Sequence, residues 1–171
     1  MYKKIYRTPT GFSDILLSSD GNSLTGLWFE GSRDAAKHTL DCEEKDLSVF
    51  RETAQWLDIY FSGKQPDFMP DIKISDMTAF RQEVTDCMMN IPYGETVTYG
   101  DIAKEIAAKH GMDRMSSQAV GGAVGWNPIC IIIPCHRVVG AGHSLTGYGG
   151  GIENKISLLR LEGHDMSAYA K

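Results

Sequence analysis

The chain of 171 residues lacks any apolar run long enough to cross a bilayer or to direct export. The longest such run, Ile129 to Ile133, falls well short of the roughly 20 residues that a membrane-spanning helix needs. Behind the basic residues Lys3, Lys4 and Arg7, the stretch Thr8 to Asp20 offers no signal-peptide core. A cytoplasmic protein with no membrane partner is therefore expected. Also missing are a CxxC pair and the Cys and His spacing of a zinc site, since the four cysteines stand at 42, 87, 130 and 135. Neither structural disulfides nor a metal or other cofactor is expected, and a buried free cysteine is by default an inert small hydrophobe.

Positive charge is scarce as well. Basic residues number 17 against 22 acidic ones, for a net charge of -5. Up to residue 75 there are nine basic and twelve acidic residues, and beyond it eight and ten. Neither half carries the excess of Lys and Arg that drives binding to phosphate backbones, so any contact with nucleic acid has to be small in its electrostatic part. What the chain does have is an ordinary soluble composition, 42% hydrophobic and 23% charged, enough to build a core in one domain or two small ones.

The first third reads as a small sheet. Phe12 to Leu17 and Leu24 to Glu30 are apolar stretches joined by Ser-Ser-Asp-Gly-Asn-Ser at 18 to 23, with Asp20-Gly21 supplying the positive φ of a hairpin. A helix is expected over roughly Lys45 to Tyr60, with Leu47, Phe50, Ala54, Leu57 and Phe61 on one face. Gly63, Pro66 and Pro70 then break the pattern, which places a domain boundary there and divides the chain into 1–75 and 76–171.

Beyond Asp76 the character is helical. Thr78 to Met89 forms one expected helix, and Thr98 caps another that runs to about Lys109 and buries Ile102, Ala103 and Ile106. After Gly111 a short helix is expected from Ser116 to about Val124, giving a helix-turn-helix pattern that many proteins without DNA partners share. Gly121, Gly122 and Gly125 weaken that last helix by about 1 kcal/mol each relative to Ala. Close helix packing and close approach of a nucleic-acid backbone would both use the missing side chains.

Gly125-Trp-Asn-Pro128 reads as a turn and Ile129 to Ile133 as a short buried strand ended by Pro134, so that Cys135 emerges beside His136 and Arg137. A thiol reacts as thiolate, and a neighbouring imidazole and guanidinium raise the ionised fraction. The glycine-rich Leu145 to Gly151 holds one tyrosine, Tyr148, where a flat ligand could approach the backbone. A last helix, Glu153 to Leu161, ends at Glu162, whose carboxylate either orients His136 or is solvated.

Taken together, Tyr93-Gly-Glu-Thr-Val-Thr-Tyr-Gly-Asp-Ile-Ala, Ala119-Val-Gly-Gly-Ala, Asn127-Pro, Ile133-Pro-Cys-His-Arg-Val-Val, Gly147-Tyr-Gly-Gly and Lys155 through Leu161-Glu-Gly resemble, in order and spacing, the methylated-DNA-protein-cysteine methyltransferases, or O6-alkylguanine-DNA alkyltransferases. The resemblance is close over about 75 to 163 and looser before it. It implies an α+β protein: an N-terminal ribonuclease-H-like sheet with a helix, then a C-terminal helical domain with a winged helix-turn-helix. The implied partner is double-stranded DNA containing alkylated guanine, met by a monomer. The implied activity is a single-turnover transfer of the alkyl group from O6-alkylguanine, and from O4-alkylthymine, to the protein's own cysteine after the base is flipped out of the stack.

Carried over by resemblance, Cys135 is the acceptor, His136 removes its proton through a water, Glu162 holds the imidazole and Asn127 is the hinge. Tyr99 and Tyr148 contact the flipped base, with the Val138 carbonyl, the Gly149 N–H and Lys155 also at the pocket. Gln118, Ala119, Gly121, Gly122 and Arg137 fall on the DNA side. The chain departs from the family at Gln118, where many members carry an arginine that enters the duplex. The amide can still hydrogen-bond to an orphaned base, so flipping with weaker DNA affinity is expected.

Overall fold

In the computed structural model, which describes residues 1–39, 41–145 and 147–169, the backbone begins with three antiparallel strands, β1 (Tyr2–Tyr6), β2 (Ile15–Ser19) and β3 (Leu24–Phe29). The β2–β3 turn is the expected hairpin. Asp20 accepts hydrogen bonds from the N–H groups of Asn22 and Ser23, and Gly21 takes a φ of 114°. β1 carries no apolar alternation, with Lys3 and Lys4 in its middle, and so gives no strand signal in the sequence. Its place comes from its neighbours, β2 on one side and, in parallel, the short β4 (Glu43–Glu44) on the other, after α1 (Arg33–Thr39). The sheet order is β3-β2-β1-β4.

Helix α2 (Ser48–Phe61) lies where the periodicity puts it, but its buried face is rotated from the expected one. Phe50 and Leu57 are buried as expected, and Thr53, Trp56 and Tyr60 join them in place of Ala54 and Phe61. The segment that follows is no free tether. Leu24 donates to Asp71 O and accepts from Lys73 N–H, so the stretch expected as a linker lies along the β3 edge.

Three helices come next, each capped by a side-chain oxygen: α3 (Ala79–Met89) by Thr78, α4 (Tyr99–Lys109) by Thr98, the cap expected from the sequence, and α5 (Ser117–Trp126) by Ser116. Thr98 and Asp101 form a reciprocal capping box. A second, two-stranded sheet pairs β5 (Val97–Thr98) with β6 (Val138–Val139) in parallel, and α6 (Ile152–Leu161) closes the fold. Among the described residues no helix is long and apolar enough to cross a membrane.

Residues 129–133 are not the strand that their apolar run suggests. Only Ile129 bridges to Leu27; the chain then folds into a tight turn in which Ile132 N–H donates to Cys130 O, Ile133 N–H donates to Ile129 O, and Ile131 adopts a φ of 70°. A continuous apolar run reports burial on all sides, and a buried turn meets that condition as well as a strand. The expected end of α5 is also extended, since Gly125 and Trp126 belong to the helix. One continuous core runs from Leu17, Leu27 and Phe29 through Leu57 and Tyr60 to Ile106, Val120, Ile133 and Leu158. Residues on both sides of position 75 share it.

Candidate active site

Asn127 ends α5 and grips the buried turn at both ends. Its Oδ1 accepts from Ile129 N–H at 3.0 Å, and its Nδ2 donates to Ile129 O at 3.3 Å and Ile133 O at 2.9 Å. The turn is further tied to the first sheet, where Cys130 N–H donates to Leu27 O and Leu27 N–H to Pro128 O. Two cysteines ride on this rigid piece, Cys130 within it and Cys135 just after it.

Cys135 opens a single 3-10 turn, Cys135–Arg137, rather than emerging from a strand, and this is what lets its neighbours diverge. Its thiol is buried, yet it lies on a narrow cleft that Phe29 and Asp34 line from the first half and Tyr99, Cys130, Tyr148 and Gly149 from the second. The Cys135 thiol is held below the usual cysteine range. The hydrogen bond with Cys130 is the largest cause; burial opposes it, while Asn127 and the charge of Lys155 reinforce it. Cys130 is pushed the other way, first by that same hydrogen bond and then by burial.

Next in sequence, His136 forms a fully buried pair with Glu162. His136 Nε2 lies 2.5 Å from Glu162 Oε2, and the same oxygen accepts from the Tyr60 hydroxyl at 2.7 Å. Glu162 Oε1 accepts from Arg137 Nε at 2.8 Å and Gly94 N–H at 2.9 Å. Burial pushes the carboxyl up, but these donors outweigh it and bring it down to about 2. Burial, against the pull of Glu162, lowers His136, so the imidazole is neutral at pH 7 with its proton on Nε2 facing the carboxylate. Nδ1 is then the basic nitrogen, and among the described residues it has no hydrogen-bond partner.

Arg137 is the clearest correction to the expected site. The sequence reading places it on the DNA side and beside the thiol, but its guanidinium is buried against Glu162, Ile91 O at 2.8 Å and Gln65 Oε1 at 3.1 Å. A guanidinium whose donors are spent inside the protein offers nothing to a phosphate. Val138 is likewise enclosed, its carbonyl accepting from Lys155 Nζ at 2.7 Å. Burial pushes Lys155 down to about 8, and its ammonium sits 5.6 Å from the Tyr148 ring centroid.

Tyr99 begins α4 and Tyr148 faces it across the cleft. The Tyr148 hydroxyl finds no partner of good geometry and has the thiols of Cys135 and Cys130 as polar neighbours; burial first, then those thiols, raise it well above the usual tyrosine range. Gly149 is exposed at the cleft, whereas a side chain at Gly150 would run into Tyr148 and Phe29 at under 3 Å. Thr146, in the same loop, lies outside the described residues.

On α5, Gln118, Ala119 and Gly122 are exposed and Gly121 is half-buried. A Cβ at Gly122 or Gly125 would meet nothing within 4 Å, and one at Gly121 would reach the Tyr99 ring only at 3.8 Å. Close helix packing therefore does not account for these glycines. Two residues of the site, Cys130 and Tyr60, are not among the site residues expected from the sequence. Cys130 looked like part of an apolar strand, and Tyr60 stood on a helix face whose phase was misjudged; no local motif marks either. Among the described residues no cluster of three His, Cys, Asp or Glu side chains could hold a metal ion.

Two family models match the chain in succession: the ribonuclease-like domain of 6-O-methylguanine DNA methyltransferase over residues 1–74, and the DNA binding domain of the same family over 79–164. A methylated-DNA–protein-cysteine methyltransferase of Methanosarcina acetivorans is 40% identical over 164 residues, covering 95% of this chain and 99% of that one. The enzyme of that name from Haemophilus influenzae is 39% identical over 162 residues, covering 95% and 86%. Among solved structures, Mycobacterium tuberculosis OGT in complex with DNA superimposes with a TM-score of 0.79 at 35% identity, covering 99% of this chain and 95% of that one. The O6-methylguanine-DNA methyltransferase of Pyrococcus kodakaraensis gives 0.66 at 25%, covering 95% and 99%.

Proposed function

The chain belongs to the 6-O-methylguanine DNA methyltransferase family, with methylated-DNA–protein-cysteine S-methyltransferase activity in the repair of alkylated DNA, and from that premise we propose that Cys135 is the acceptor in a single-turnover transfer from a flipped O6-alkylguanine. The observation that carries the reading is the division of labour on His136. Its Nε2 is committed to Glu162, which leaves Nδ1 as the open base on the residue that follows a buried thiol already held toward its ionised form.

In the proposed reaction the Cys135 proton passes to His136, directly or through a water, and the thiolate attacks the alkyl carbon. The S–C bond forms as the bond between that carbon and guanine O6 breaks, and the electron pair stays on the base. Glu162, saturated by donors, stabilises the imidazolium that forms without taking its proton. Tyr99 and Tyr148 flank the base as walls of the cleft, with the Gly149 N–H on its alkylated edge and the Val138 carbonyl and Lys155 behind it. A thioether is a poor leaving group, so each molecule acts once. O4-alkylthymine, which presents the same alkyl–oxygen bond, is a second substrate in this reading.

DNA lies along the α5 face that carries Gln118, Ala119, Gly121 and Gly122, where a duplex backbone can approach the helix closely. Gln118, near the start of α5, takes the place of the extruded base. In this working division residues 76–171 bind DNA and carry the acceptor as a monomer, and residues 1–75 supply one wall of the cleft. Intact-mass measurement after incubation with a methylguanine oligonucleotide tests the reading. A gain of one methyl on Cys135, lost in Cys135→Ser, is expected; tight DNA binding with no mass change would make the chain a damage-binding protein instead.

A further inference from the structure

Resting on Tyr148 as a wall of the cleft that takes the base, we propose that Asn154 is a positioning residue for the transfer: its side-chain amide holds the glycine-rich loop that carries Tyr148 and hangs that loop on the first half of the chain. Asn154 stands in the first turn of α6 and is buried, at 8% exposure. Its Nδ2 donates to Gly150 O at 2.8 Å and to Ser13 Oγ at 3.2 Å, and its Oδ1 accepts from Ser13 N–H at 3.0 Å. The partners dictate which way the amide faces. A backbone N–H can only donate and a carbonyl can only accept, so the oxygen must face Ser13 and the nitrogen Gly150.

What lies on each side of the amide gives the tie its weight. On the loop side, the peptide between Gly150 and Gly151 offers its carbonyl to Asn154 and its N–H to Tyr148 O at 3.2 Å, so the hold reaches the Tyr148 backbone through one planar group. Gly150 is wedged between two rings: a Cβ there would come within 2.6 Å of Tyr148 and 2.8 Å of Phe29. Glycines surround Tyr148 from 147 to 151, and glycine loses more freedom on ordering than any other residue, so placing the ring on the cleft calls for a constraint from outside the loop. On the far side, Ser13 belongs to a braced corner ahead of β2. Thr8 Oγ1 donates to Phe12 O and Ser13 O, both at 3.1 Å, and Asp14 accepts from Thr8 N–H at 3.0 Å. Ser157 Oγ donates to Gly11 O at 3.0 Å, which joins α6 to the same corner without touching the loop. A wall displaced by about 1 Å would misplace the base against Cys135, and an error of that size costs up to about a hundredfold in rate.

The test is Asn154→Asp, which keeps the shape and the acceptor for Ser13 but sets a carboxylate oxygen against Gly150 O. Single-turnover methyl transfer from an excess of methylguanine oligonucleotide gives the limiting rate, titration with an unmodified duplex gives DNA affinity, and hydrogen exchange over 147–151 reads the loop without any transfer. At about pH 8 the limiting rate should fall about tenfold with DNA affinity unchanged, and exchange in the loop should quicken. Toward about pH 5.5 the variant should recover relative to the parent, because the protonated acid again donates to Gly150 O while its other oxygen accepts from Ser13 N–H. Ser157→Ala, which cuts only the second tie to the corner, should keep the parent's rate and exchange. Asn154→Ala is read in the same way should the carboxylate prevent folding, and it should lose the rate without recovering it in acid. No methyl on Cys135 of the parent would remove the reading of the acceptor, whereas the hold on the loop is judged separately, by exchange. The parent's limiting rate and exchange in the Asn154 variants, a deficit in Asn154→Asp that is the same at both pH values, or an equal loss in Ser157→Ala would overturn the inference.

Discussion

The Tyr60 hydroxyl donates to Glu162 Oε2 at 2.7 Å across 102 positions of sequence, and it meets there the oxygen that holds His136. Tyr60→Phe keeps the ring and its stacking on Trp56 while removing only this donor. A hydrogen bond to a buried carboxylate contributes about 1.5–3 kcal/mol, so urea unfolding should show a loss of that size. Methyl transfer should slow with a changed pH profile, because the carboxylate facing His136 has lost a competing donor. An unchanged profile would limit Tyr60 to packing.

Arg137→Met should behave as a stability variant and not as a DNA-binding one. Removing the guanidinium leaves Glu162 Oε1 with the Gly94 N–H alone and takes the donor from Ile91 O, and breaking one side of a buried ion pair costs about 3–5 kcal/mol. Denaturant unfolding measures that loss, and titration of the folded protein with DNA at several salt concentrations should give the parent's salt slope. A slope reduced by one phosphate's worth would return Arg137 to the DNA surface.

Gly122→Ala should raise stability and weaken DNA binding together. The added Cβ meets nothing within 4 Å, so the helix gains up to about 1 kcal/mol of propensity in the free protein. On DNA the methyl would hold the backbone away from the helix. Thermal unfolding and fluorescence titration with a duplex should move in opposite directions; a variant that is stabilised and binds equally well would remove Gly122 from the contact surface.

Gln118→Arg should bind DNA more tightly and with a steeper salt dependence, since it adds a cation at the exposed start of α5 in a chain of net charge -5. Duplex affinity at two salt concentrations, together with the transfer rate, checks it. No gain in affinity would mean that charge at this position is not what limits binding.

Glu162 makes the fold acid-sensitive in a defined window. Its carboxyl titrates at about 2 in the folded protein against an ordinary 4.5, so the unfolded chain binds the proton first. The stabilisation is complete above about pH 4.5 and is lost as the pH falls toward 2. Urea unfolding of the parent and of Glu162→Gln at a series of pH values should show a stability gap that is widest at neutral pH and narrows through this range. A gap that stays constant would mean that the carboxyl is not ionised in the folded state.

The helices α3, α4 and α5 were legible in the sequence because breakers, caps and 3.6-residue periodicity are local signals, and at Thr98 cap and periodicity agree. The family motif named Cys135, His136, Asn127 and Glu162 for the same reason of fixed spacing. What escaped was set by tertiary contacts. β1 is a strand because β2 and β4 flank it, and the Ile129–Ile133 run is a turn because Asn127 and Leu27 bend it. Arg137 was misplaced because charge alone says nothing about whether a carboxylate waits inside. Tyr60 was hidden by a small error of phase on α2, enough to move a site residue off the expected face.

The bridge between Leu27 and Ile129 gives the reacting sulfur its frame of reference. The turn that carries Cys130 and leads into Cys135 is anchored to the first sheet as well as to α5. β3 reaches the turn through the backbone hydrogen bonds of Leu27, and α5 reaches it through the Asn127 side chain. The sheet and α5 thus hold the stretch leading into Cys135 from two sides, so that its position is a joint property of both halves of the chain.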